Sequence, residues 1–236
     1  MNKHQLVSQQ RRPARLGQMI AFLVLTSSLP FISYATIPNA FLSVDFNTAS
    51  SPTETGFQSF VPADLPSKTF STIYGNLTVT ASGGNMTDRG GPGDSGPFTY
   101  SELYEDFHWE VSAPINFTLS GPAIVPNSPY QITWYSWSIH PGDDATTQFA
   151  STPASNTSGS IGSVTHLSAN TPTSDLQYSF TGIWTSTDNS LEITATRLSG
   201  GGINLINGFE IVPEPSSVVL LALGGLALMR RWNRNG

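Results

Sequence analysis

Four titratable side chains crowd one stretch of ten residues, Tyr100 to Trp109 (YSELYEDFHW): Glu102, Glu105, Asp106 and His108. Two carboxylates cleave a glycosidic bond when they flank it from opposite sides, roughly 5–10 Å apart. The stretch reads as the one short helix of the body. Thr99 and Glu102 have the spacing of a capping box, and Leu103 and Phe107 fall on one face. On such a helix Glu102 shares a face with Glu105 and Asp106. Neighbours on one face cannot stand on either side of a bond. A solvated acidic face is therefore the simpler reading, and a polysaccharide hydrolase or lyase built on this region is the alternative. Asp88 and Arg89, in the preceding loop, are placed to cap or pair with it.

The other chemistry-bearing residues are dispersed. His108, His140 and His166 are far apart and show no tight metal spacing. No Gly-x-Ser-x-Gly elbow occurs, and Gly90 to Gly96 lacks the lysine of a phosphate loop. Asp45 and Glu210 sit on what read as the first and last strands. If those strands are neighbours, the two carboxylates are candidate ligands for a structural calcium, which takes oxygen donors. Asp143-Asp144 is a second oxygen-rich turn. No other cofactor is implied. Of the tryptophans, Trp134 and Trp137 cannot share a face of one regular strand, so at least one belongs to the core. Trp137 and Trp184 are the candidate glycan contacts, since exposed rings stack on sugars.

The elements that would position these residues are strands. Leu42, Val44 and Phe46 alternate with Ser43 and Asp45; Leu77 to Ala81 alternates, as does Ile115 to Ser120. Gly56 to Val61 and Thr146 to Ala150 are shorter candidates. Tyr130 to His140 carries large apolar residues on both faces, so both are expected to be covered. Leu176–Phe180 and Leu191–Thr196 flank Asp188-Asn189-Ser190 as a hairpin, and one strand runs from Leu205 to Val212. Gly83 to Pro97 and the Ser/Thr/Gly-rich 151–162 read as loops. Many short strands between Gly, Pro and Asn turns predict an all-β, jelly-roll-like β-sandwich. The segment from Leu119 to Ile132 resembles the strand-corner-strand unit of fibronectin-like sandwiches. Tyr130 there is placed either for a tyrosine corner or for ordinary core packing.

Both ends of the chain read as addresses. Lys3, Arg11, Arg12 and Arg15 precede the apolar Met19 to Leu29, and Ser33-Tyr34-Ala35 offers small residues for cleavage after Ala35. Residues 1–35 thus read as a signal peptide for signal peptidase, with an uncleaved anchor or twin-arginine export as alternatives. At the other end Pro213-Glu214-Pro215 breaks the chain. An uncharged stretch of about 14 residues follows, up to Met229, then Arg230-Arg231. It is short beside the ~20 residues of a typical membrane helix, and the basic cluster suits a cytoplasmic end. Between them, residues 36–211 suffice for one domain. The net charge is −6 with Lys+Arg 10 and Asp+Glu 16, and most basic residues lie in the two ends, so the body is more acidic still. Nucleic acid is excluded as a partner on that ground. With no cysteine, the domain relies on its core and has no thiolate chemistry.

The tail, residues 212–236, resembles the PEP-CTERM sorting domain in all three parts: the Pro213-Glu214-Pro215 triplet, the apolar run with Gly224-Gly225, and Arg230-Arg231. The same signature is also catalogued as an ice-binding-protein C-terminal domain, a label without bearing on ice here. The resemblance implies export from a Gram-negative bacterium. It implies a precursor held in the inner membrane, processing near the triplet by an exosortase, and a place at the cell surface or in a polysaccharide matrix. Glu214 would then be read by the processing enzyme. More loosely, Asp88-Arg89-Gly90, Tyr104 to Phe107 and Asn207 to Glu210 resemble pieces of galactose-binding-type jelly rolls. The expected function is a non-catalytic surface or matrix protein, with exopolysaccharide as candidate ligand. An inert coat protein is the other non-enzymatic reading.

Overall fold

The computed structural model describes residues 40–111, 113–200 and 202–214. The signal peptide with Ala35, the triplet's Pro215, the apolar run and Arg230-Arg231 lie outside the described residues. The strands, in chain order, are β1 (Leu42–Phe46), β2 (Gln58–Phe60), β3 (Ser67–Thr72), β4 (Gly75–Ala81), β5 (Asn85–Asp88), β6 (Asp106–Glu110), β7 (Ile115–Ser120) and β8 (Pro129–Tyr135). Then follow β9 (Ala145–Ser151), β10 (Thr157–Gly159), β11 (Gly162–His166), β12 (Ser179–Ser186), β13 (Ser190–Ser199), β14 (Asn204–Ile206) and β15 (Gly208–Pro213).

Two six-stranded sheets form the sandwich, in the orders β10-β12-β8-β15-β1-β2 and β11-β9-β13-β7-β4-β3; a third, β14-β6-β5, has three strands. Strict alternation explains the core. Val79, Phe117, Leu119, Leu191 and Ile193 point inward from one sheet, and Val44, Ile132, Trp134, Phe209 and Ile211 from the other. Trp134 lies at the centre, 4.9 Å from the Phe117 ring, 5.3 Å from Phe149 and 5.1 Å from Phe209.

The outer face of the first sheet is covered too. Phe57, Tyr100, Tyr104, Trp137 and Tyr178 pack on Tyr135 or on one another in a second aromatic layer. Its cover comes from the turns at 98–105 and the loop at 167–178, far away in sequence.

Four sequence expectations are corrected. No α-helix occurs among the described residues; only two short 3₁₀ turns, Pro62–Asp64 and Pro141–Asp143, are helical. The helix expected from Tyr100 to Trp109 is a run of turns leading into β6. Its capping box does not form, because the Thr99 and Tyr100 amides and the Thr99 hydroxyl all donate to Asp175. The expected hairpin about Asp188 is an arch: β12 belongs to one sheet and β13 to the other. The expected strand from Leu205 to Val212 breaks at Asn207, which sends β14 and β15 to different sheets. Asn207 Oδ1 accepts from the Trp137 amide at 2.6 Å, and its Nδ2 donates to the Asp106 carbonyl at 2.8 Å. Finally, the loops expected at 83–97 and 151–162 contain β5 and β10.

Candidate functional site

Two places on the sandwich combine unusual chemistry with the residues singled out in the sequence. The first is a buried acidic cluster where β1, the loop after it and β6 meet. Asp45 points to the outer face of its sheet, where Oδ2 accepts from the Glu54 amide at 2.8 Å and from Asn47 Nδ2 at 3.3 Å. Asn47 Nδ2 also reaches the Pro52 carbonyl at 2.8 Å and Thr53 Oγ1 at 3.1 Å, folding the loop back onto the strand end. Glu54 accepts from the Thr55 amide at 2.8 Å and the Leu103 amide at 3.4 Å. Ser51 Oγ lies 3.0 Å from Asp106 Oδ1 and 3.4 Å from Asp88 Oδ2.

Burial sets the electrostatics. Water is withdrawn from the Asp45 carboxyl, and Asp106, Glu54 and Glu102 repel its charge, so its pKa stands well above the usual range. Glu54 is raised to about 8, first by burial and then by sharing a hydrogen bond with Glu102. Asp106 is raised to about 7, mainly by burial, against the opposing bond from Ser51. Asp45 Oδ1, Asn47 Oδ1 and Asp106 Oδ2 are buried without a hydrogen-bond partner. Burial comes first in all three shifts, and the unpartnered Asp45 and Asp106 oxygens show that few donors are at hand to hold the charged form.

Asp45, Glu54 and Asp106 are at most 2% exposed, so a polymeric substrate has no access to them. His108, on β6, packs between the Phe46 and Phe117 rings and is pushed down to about 4 by burial, so it is a neutral core residue. Of the four crowded groups only Glu102 and Glu105 reach the surface, and burial and the nearby Asp88 raise Glu105. The structure therefore disperses the expected acidic face. His166 is buried against the Asp143 carbonyl at 2.7 Å, and burial holds its pKa below the ordinary value. Asp143 is held by Ser138 Oγ at 2.7 Å and faces Arg89 at 3.7 Å, while Asp144 caps the Ser168 amide at 2.7 Å.

β1 and β15 are neighbours, as expected, with Ser43 opposite Glu210 and Asp45 opposite Gly208. Asp45 and Glu210 thus lie diagonally on one face. Glu210 is occupied by the Tyr135 hydroxyl and by Ser43 Oγ. Among the described residues no three His, Asp or Glu side chains are arranged to hold a metal ion.

Trp137 and Trp184 are 0% exposed, so neither presents a ring to a glycan. Trp137 lies between Tyr104 and Tyr178, with Nε1 donating to the Asn170 carbonyl at 3.2 Å. Trp184 faces the core with its edge to Phe180, and β10 closes over it. Neither cover has a signal in the residues adjacent to these tryptophans. The tryptophan of the body that keeps a partly open ring is Trp109, whose Nε1 donates to Thr87 Oγ1 at 3.2 Å.

The second place is the exit of the tail. Pro213 pairs with Tyr130 as the last rung of β15 on β8, and the Glu214 amide donates to the Pro129 carbonyl at 3.0 Å. The triplet therefore begins inside the sheet, with no spacer. A shallow apolar cleft of about 270 Å³ adjoins it, lined by Tyr74, Ala123, Val125, Tyr130, Pro213 and Glu214 among others. Its floor is a tyrosine corner, one of the two readings open for Tyr130: the Tyr130 hydroxyl accepts from the Val125 amide at 2.7 Å and donates to the Ala123 carbonyl at 3.0 Å. Gly121 makes the bend at φ 126°, where a Cβ would stand 2.7 Å from the Asn76 carbonyl.

A family model, that of the PEP-CTERM protein-sorting motif, matches residues 212–235. The tail is a PEP-CTERM sorting motif. Such motifs are recognised by exosortase-type processing enzymes, and this one indicates an exported, membrane-processed protein. Among the described residues no helix is long and apolar enough to cross a membrane. No curated protein matches the chain. Among solved structures, protein YXIM from Bacillus subtilis is similar at 15% identity and a TM-score of 0.43, over 73% of this chain and 39% of that one. Bacteroides uniformis beta-glucuronidase is similar at 12% identity and a TM-score of 0.39, over 58% of this chain and 14% of that one. The chain thus spans well under half the length of either protein, and neither likeness bears on its activity.

Proposed function

We propose that the protein is a non-catalytic component of the cell surface or extracellular matrix. Its PEP-CTERM tail is read by an exosortase in the inner membrane, and its sandwich is a module that binds exopolysaccharide. The observation that carries the non-catalytic reading is the burial of Asp45, Glu54 and Asp106 behind loops whose own hydrogen bonds they satisfy. Carboxyls used in this way organise the loop from Thr48 to Glu54 and are closed to substrate. The glycan-binding reading moves from Trp137 and Trp184 to Trp109, the ring with an open side.

The test is a polysaccharide pull-down and a turnover assay on the same preparations, with the wild type, Trp109→Ala and Glu105→Gln. Retention that is lost in Trp109→Ala, without release of sugar, supports the reading. Turnover that disappears in Glu105→Gln would overturn it in favour of an extracellular hydrolase or lyase. Failure to retain any glycan would favour an inert coat protein.

A further inference from the structure

The tail-exit end of the sandwich carries a set of exposed apolar side chains that the fold does not explain. Ile73 and Tyr74 form the tip of the β3–β4 hairpin and are 84% and 53% exposed; Val125, on the corner loop, is 53% exposed. Tyr74 and Val125 line the same cleft as Pro213 and Glu214. The start of β1 is here too. The Phe41 amide bonds to the Ile211 carbonyl at 3.0 Å, and its ring meets Tyr74 edge-on at 5.3 Å. Both chain ends therefore leave the sandwich side by side, next to this apolar tip.

Chain length fixes how far this end can stand from a bilayer. The uninterrupted apolar run of the tail begins at Val218, four residues beyond Glu214. Four fully extended residues span at most about 14 Å. The headgroup layer over each side of the hydrocarbon core takes up roughly 5–8 Å of that. Glu214 must then lie within about 10 Å of the lipid surface while the tail is inserted, and the cleft it lines with Tyr74 and Val125 is at the same end of the sandwich.

We propose that this end of the sandwich is a lipid-facing surface. While the tail holds the precursor in the membrane, Ile73 and Tyr74 at the hairpin tip, with Val125 beside them, rest in the headgroup-to-acyl boundary. This rests on the PEP-CTERM reading of the tail and adds to it the orientation of the body. Tyrosine suits that boundary, with its ring toward the chains and its hydroxyl toward water. Charge does not drive the contact. Lys68 lies at the far end of β3, Arg197 toward the far end of β13, and Arg89 faces Asp143. The acidic Asp188, on the arch at this same end, disfavours anionic lipid there. Such a seat holds the triplet at the depth where a membrane-embedded processing enzyme works.

The chain contains no cysteine, so a single introduced thiol reports from one place. The full chain would be reconstituted in phosphatidylcholine vesicles as Ile73→Cys or Leu176→Cys, each labelled with an environment-sensitive nitrobenzoxadiazole dye. Leu176 is similarly apolar and 54% exposed, but it lies just before Ser179, which pairs with Tyr135 at the opposite end of β8. The expected result is blue-shifted emission from position 73 and severalfold stronger quenching there by spin-labelled lipid than at position 176. If the protein floats with the vesicles but both dyes remain equally in water, the lipid-facing surface is refuted and the tail reading stands. If the full chain does not float with vesicles at all, the tail reading fails and the proposal falls with it.

Discussion

The corner under the tail exit offers the sharpest test of the fold. Tyr130→Phe removes one oxygen and leaves the ring, which is 2% exposed and packs against Phe41, in place. That oxygen closes two bonds, from the Val125 amide at 2.7 Å and to the Ala123 carbonyl at 3.0 Å. Val125 lies on the surface, so its amide can turn to water, and that loss is about 0.5–1 kcal/mol. Ala123 is 2% exposed, and a carbonyl left without a donor there costs about 1–2 kcal/mol. The expected destabilisation is therefore about 2 kcal/mol, or a fall in Tm of roughly 4–8 °C for a domain of this size. Urea unfolding followed by tryptophan fluorescence reads it as a lower midpoint at unchanged slope. A loss below about 0.5 kcal/mol would show that the hydroxyl does not lock the corner. A changed slope would show that the substitution altered more than the two bonds.

Glu54→Gln tests the buried acids. With its pKa raised to about 8, Glu54 holds a proton in the folded state that the unfolded chain releases near 4.5. Wild-type stability should therefore be full below about pH 4.5 and fall as pH rises towards 8, by at most about 1.4 kcal/mol per pH unit from this group. The variant should flatten that window in urea titrations at several pH values; identical pH profiles would contradict the assignment. Asn207→Ala removes both the acceptor for the Trp137 amide and the donor to the Asp106 carbonyl. It should cost about 2–4 kcal/mol, and a loss under 1 kcal/mol in chemical denaturation would deny Asn207 its part in separating β14 from β15.

What could be read from the chain alone was what local pattern controls. Leu77 to Ala81 and Ile115 to Ser120 alternate strictly and are strands, because one face of each meets the core and the other does not. The tyrosine corner was legible because its partners lie five and seven residues away. The failures all have distant causes. Tyr100 to Trp109 has helical local signals, but Asp175 captures its first amides and β5 and β14 pair with its second half. Trp137 reads as a candidate glycan contact because nothing near it in sequence shows that the loop at 167–178 closes over it. The acidic residues advertised a site by composition, whereas their burial depends on how Thr48 to Glu54 folds back, which the side chains of Asn47 and Asp45 decide.

The pairing of β1 with β15 also governs the order of events during secretion. β15 is an interior strand that joins β2-β1 to β8-β12-β10, yet it comes last in chain order among the described strands. Until it arrives, the first sheet exists as two unjoined halves, and the contacts that close it span nearly the whole body, which makes closure slow. A nascent chain in that condition stays threadable through a translocation channel. Closure of the first sheet therefore waits for the residues that run directly into the sorting motif.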